Sequence, residues 1–95
     1  MRFLSYFKPA SSFTQDVFNR YGMKPYDAIR ECQIRTDGHA PVDLTIIRHN
    51  DGLYSFAHGE VINPQKFKTM TATASSCLKW YESNLSQFKL ATINS

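Results

Sequence analysis

Cysteine, glycine and long apolar runs are all scarce in this 95-residue chain, and each scarcity closes off a class of function. The two cysteines, Cys32 and Cys77, lie far apart, too few and too distant for the disulfide framework of a secreted mini-protein. Four glycines leave no material for a glycine-rich phosphate loop. No apolar run approaches the roughly 20 residues that span a bilayer. Met1–Ala10 lacks both a long apolar stretch and a small-residue cleavage site, so no signal peptide is expected. These features predict a cytoplasmic, membrane-independent protein with two free thiols.

An excess of one charge is also missing. Eleven Lys and Arg against eight Asp and Glu give a net charge of +3. The basic residues are dispersed from Arg2 to Lys89 and form no basic arm. Such a balance reads as an ordinary solvated surface.

Catalytic and metal-binding patterns are absent from the sequence as well. Zinc ligands come as pairs a few residues apart, whereas Cys32, His39, His49, His58 and Cys77 are each isolated. A cysteine nucleophile needs a depressed pKa and a nearby base. Cys32 has only Arg30 close by, and Cys77 falls on an apolar helical stripe. Asp37, Asp43 and Asp51 read as turn and strand-edge residues, not as an acid–base pair. The histidines read as two on the surface and one in a loop. The expectation is a non-enzyme with no cofactor and no metal.

What the chain has is apolar and aromatic mass. Seven Phe, five Tyr and one Trp within a 42% apolar composition argue for a packed core and against disorder. Residues 1–95 fit one compact domain. Met1–Lys8 alternates loosely and reads as a strand ended by Pro9. Ser12 and Gln15 form a capping-box pattern, and Phe13, Val17, Phe18 and Tyr21 follow at helical spacing up to Gly22, predicting a helix over 12–21. Tyr26–Thr36 fits strand or helix. Strand is preferred because the next two strands need a neighbour, with Tyr26, Ala28, Cys32 and Ile34 on one face.

Val42–His49 and Leu53–Val61 read as strands joined by Asn50-Asp51-Gly52. A three-residue loop with Gly52 at positive φ pairs His49 with Leu53 and gathers Leu44, Ile46, Tyr54 and Phe56 on one face. Thr69 or Thr71 caps a long final helix. Its stripe is Met70, Ala74, Cys77, Leu78, Tyr81, Leu85 and Phe88, and it runs for about 18 residues. Ala91–Ser95 reads as a frayed end. The predicted class is therefore α+β: a three-stranded antiparallel sheet, with an added N-terminal strand, packed against two helices.

A small domain without catalytic groups acts by binding. Two partners compete. The first is another protein, with the chain serving as a small inhibitor or adaptor of the kind that phages and mobile elements encode. Aromatics beyond those the core needs support this, and Trp80, Tyr6 and Phe67 are the candidate contacts, since exposed Trp and Tyr anchor interfaces. The edge of Met1–Lys8 also offers a route to a homodimer. The second partner is nucleic acid.

From Ser12 to Asn84 the order helix, three strands, helix resembles the double-stranded-RNA-binding domain. A short helix ends near Gly22 and leads through Pro25 to Tyr26. Gly38-His39-Ala40-Pro41 is similar to the family's Gly-Pro-x-His loop, and Ala72 and Ala74 are small residues near the start of the last helix. The resemblance implies a minor-groove contact by His39 and phosphate contacts by Lys66 and Lys68, with Arg48 as a further cationic candidate. The family's Lys-Lys-x-Ala-Lys motif is replaced here by Lys68-Thr69-Met70-Thr71-Ala72, and the first strand is longer than the family's spacing allows. Without several phosphate contacts RNA affinity would be low at physiological salt, so a protein partner is the preferred expectation.

Overall fold

A computed structural model describes residues 3–20 and 27–90. The expectations for Met1, Tyr21, Gly22, Tyr26 and Ala91–Ser95 lie outside these residues. The fold is α+β, built on a five-stranded, wholly antiparallel sheet in the order β1-β2-β3-β4-β5. The strands are β1 (Lys8–Pro9), β2 (Asp27–Ile34), β3 (Val42–Arg48), β4 (Tyr54–His58) and β5 (Val61–Ile62), and the helices are α1 (Ser12–Arg20) and α2 (Met70–Ser83).

The centre of the sheet follows the alternation of its residues. Ile46 pairs with Phe56, Leu44 with His58 and Arg48 with Tyr54, which is the register of a three-residue loop. The His49 amide donates to the Leu53 carbonyl at 2.8 Å, and Gly52 closes the turn with φ of 85°. Leu44, Ile46 and Phe56 therefore share one face, as the pattern predicts. The strand preferred for Tyr26–Thr36 is present over Asp27–Ile34, as β2.

Side chains alternate across a strand, and here both faces are used. On one face Leu44, Ile46, Phe56 and Cys32 pack against Ala74, Cys77, Leu78 and Tyr81 of α2, with Phe7 joining them. On the other, Ile47, Ala57 and Ala28 pack against Phe18 of α1. The two helices thus lie on opposite faces, giving three layers with β3 at the centre.

Five expectations are corrected. A bulge between Ala28 and Arg30 changes the register of β2, so Ala28 joins the α1 face while Cys32 and Ile34 join the α2 face. One extra residue in a strand shifts the alternation by one step, and periodicity alone does not register it.

The N-terminal segment is a strand only at Lys8–Pro9. Phe3–Tyr6 forms a 3-10 helix against α2, because burying Phe7 there turns the chain away from the sheet edge. The strand expected over Leu53–Val61 is two strands, since Gly59 (φ 60°) reverses the chain and His58 pairs back onto Val61.

The N-cap of α1 also differs, whereas that of α2 is one of the two expected threonines. Ser11 caps α1, its Oγ accepting from the Thr14 amide at 3.2 Å, and the Gln15 side chain reaches the Ala10 carbonyl instead of completing a box. Thr69 caps α2, accepting from the Ala72 amide at 3.1 Å. That helix stops at Ser83, short of the expected length: Asn84 leaves helical geometry (φ -109°, ψ 16°) with its backbone and side-chain amides both donating to the Trp80 carbonyl, at 3.0 and 2.8 Å, and a 3-10 turn over Leu85–Phe88 carries the rest of the stripe.

Candidate functional site

The residues singled out as protein contacts are placed unequally. Trp80 is half-buried and stacks on His58, ring centroids 4.2 Å apart. It also touches Phe56 and Phe88, each at 5.9 Å. Phe67 exchanges backbone hydrogen bonds with Tyr54 and packs on the edge of the α2-side core. Much of the aromatic area of both rings therefore serves the core. Tyr6 is 58% exposed.

The cationic candidates do not form one patch. Arg48 faces Asp27 at 3.5 Å and Lys66 faces Asp51 at 3.1 Å, both pairs exposed, at the hairpin end of the sheet. Lys68 is exposed in the link to α2. His39 lies at the opposite end, in the β2–β3 loop, its Nδ1 2.8 Å from the Asp37 carbonyl. The strand between them, seven residues long, spans roughly 20 Å.

Two of the histidines are structural neighbours of the core rather than surface groups. Ser55 Oγ donates to the Gln65 carbonyl at 2.8 Å, so at its 2.7 Å contact with His49 Nε2 it accepts and the imidazole donates. An Nε2 that carries the proton is no base toward that hydroxyl. Burial lowers the pKa of His49, and the nearby Lys66 ammonium adds to the effect. Burial likewise lowers that of His58 under Trp80. Burial raises the thiol pKa of both Cys32 and Cys77, the opposite of what a reactive cysteine needs. Among the described residues no group of three His, Cys, Asp or Glu side chains is placed to hold a metal ion. No described helix is long and apolar enough to cross a membrane.

The depressed imidazoles set a pH dependence. The unfolded chain binds protons at these sites from about pH 6.5 downward, before the folded chain does. Stability from this source is complete above that pH and is lost as pH falls through the folded-state values. The thermal midpoint is expected to drop on acidification from about pH 7 to pH 5, and a His49→Gln/His58→Phe variant is expected to show a shallower drop. Equal slopes in the two proteins would refute the assignment.

A concavity lies elsewhere, between α1 and the part of its sheet face that Phe18 leaves open. It is a groove of about 640 Å³, within the range of ligand-binding clefts. Its floor is polar: Glu31 pairs with Thr45 and Gln33 with Asp43 across β2 and β3, all four pointing to the α1 side. Its wall is the outer turn of α1, with Phe13, Thr14 and Val17. Lys8 of β1 and Glu60 of the β4–β5 turn also line it.

Glu31 holds this wall in place. Its carboxylate accepts from the Thr14 hydroxyl and from the Ser11 amide, the latter at 2.8 Å. Burial pushes its pKa up, but these hydrogen bonds outweigh it and hold the carboxyl below the ordinary range, hence ionised at neutral pH. Phe13 is 71% exposed at the lip of the groove. The helical spacing of Phe13, Val17 and Phe18 suggests a single buried stripe, yet only Phe18 is fully buried. Position 13 falls in the first turn of α1, and the spacing alone does not separate it from Phe18.

Comparison with protein-family models, with curated proteins and with solved structures yields no match.

Proposed function

We propose that this chain is a non-catalytic binding module that docks on another protein through the groove between α1 and the sheet, acting as an inhibitor or adaptor by covering a segment of that partner. The observation that carries this reading is Phe13, a large apolar side chain exposed at the lip of an open groove whose polar floor is already ordered by hydrogen bonds. A lone exposed apolar residue is ordinary on any protein surface. A Phe bordering a preformed cleft is the arrangement in which an aromatic anchor loses water on binding and contributes about 2 kcal/mol or more. The ordered floor supports the reading further, because a site that needs no rearrangement loses little entropy when occupied.

The test is affinity capture from the native host with the full chain, in parallel with a Phe13→Asp variant. Position 13 is exposed, so the variant is expected to keep its circular dichroism and melting midpoint. The wild-type chain is expected to retain one stoichiometric protein, and the variant to lose most of it. Equal capture by both would reject the groove as the docking surface. The competing occupant is duplex RNA. A gel shift of a short duplex that weakens steeply with salt and fails in a His39→Ala/Lys66→Ala/Lys68→Ala variant would replace the protein reading with it.

A further inference from the structure

We infer that the occupant of the α1 groove is a positively charged segment of a partner protein that carries an apolar residue beside its Lys or Arg side chains. The inference rests on the docking reading above and adds the chemistry of the partner.

It follows from the charge lining the groove. The chain as a whole is net positive, yet this concavity gathers three carboxylates, Glu31, Asp43 and Glu60, against one ammonium, Lys8. The groove is thus opposite in sign to the molecule around it. A nucleic-acid backbone is disfavoured there by like-charge repulsion, and an acidic segment equally so. The three carboxylates are not equally committed. Glu31 is occupied by Ser11 and Thr14 and contributes mainly its field. Asp43 has one oxygen engaged by the Gln33 side-chain amide at 2.9 Å, and Glu60 stands exposed in its turn. Asp43 and Glu60 are therefore the groups that would meet a cation directly.

The apolar half of the site is Phe13 with Val17 beneath it. A segment that places an aliphatic or aromatic side chain on Phe13 and a Lys or Arg toward Asp43 and Glu60 satisfies both halves at once. Arg fits well, since its planar donors match a carboxylate and its face stacks on an aromatic ring.

The experiment is selection of a random peptide library displayed on phage against the immobilised full chain, with recovered peptides then titrated against three proteins. These are the wild type, Phe13→Asp, and Asp43→Lys/Glu60→Lys. All three substituted positions are exposed, and thermal melts establish that each variant is folded.

The recovered peptides are expected to combine basic with apolar residues. They should weaken as salt rises and lose at least about tenfold in affinity for each variant. Peptides that depend on Phe13 but are neutral or acidic, or that tolerate the charge reversal, would overturn this inference and leave the docking reading standing. Peptides indifferent to Phe13→Asp, or no selected peptide at all, would overturn both.

Discussion

Replacing Phe56 by alanine is expected to remove about 3–5 kcal/mol from the unfolding free energy, the range for truncating a buried aromatic. Phe56 is 2% exposed, faces Ile46 across the ladder and touches Trp80 at 5.9 Å. It lies where β3, β4 and α2 converge. The surrounding groups are held by the sheet on one side and by α2 on the other, so the cavity has little freedom to collapse. A small domain has only about 5–15 kcal/mol in total, and the variant is expected to be partly unfolded at physiological temperature. Urea titration is the measurement, with a lower midpoint at unchanged slope as the expected result. A loss below about 1 kcal/mol would mean that the site repacks and that Phe56 is not the keystone of the α2-side core.

The second large effect is expected at Phe18, and it should be local. Phe18 is the one fully buried side chain of α1 among the described residues, and it packs on Ala28, Ile47 and Ala57. A nine-residue helix has little stability of its own. Removing about 3 kcal/mol of burial there is expected to detach α1 while the core on the opposite face stays folded. Amide hydrogen exchange in α1 should then quicken by about a hundredfold, with β3, β4 and α2 keeping much of their protection. The groove loses its wall in this state, so peptide capture should fail as well. Protection lost uniformly across both layers would show that the two cores unfold as one unit.

The contrast between these two sites marks how far the sequence could be read. The hairpin around Asn50-Asp51-Gly52 was legible to the residue, because an alternating pattern on both arms admits one loop length that aligns the apolar faces. The α2 stripe was legible for the same reason, since four of its members reach full burial. The break at Asn84 was not, because the apolar spacing runs on through Leu85 and Phe88, and periodicity does not separate an α-helix from the 3-10 turn that continues it.

Longer-range features were hidden for related reasons. The bulge near Ile29 leaves no compositional trace, and it decides which face Ala28 serves. Phe3–Tyr6 has the residues of a strand, yet it packs against α2 as a 3-10 turn, so tertiary contact overrides local preference. Of the candidate site, the sequence offered the aromatic surplus but not its distribution. Trp80 leans on His58 because two strands and a helix bring them together. Phe13 stands exposed at the lip of the groove, while Phe18 of the same short helix is the residue buried on the sheet. The acidic groove required both the pairing of Gln33 with Asp43 and the turn that brings Glu60 near, neither of which is a neighbour relation along the chain.

The strand order carries a kinetic consequence. Every strand bonds to its immediate successor in the sequence, so β2 and β5 can add to the β3–β4 hairpin through short connections, and only β1 joins across the longer segment that carries α1. The costlier closure is deferred to α2, which returns over a surface already assembled. Nucleation is therefore expected to centre on Leu44, Ile46 and Phe56, with α1 arriving late, and mutations in α1 should speed unfolding far more than they slow folding.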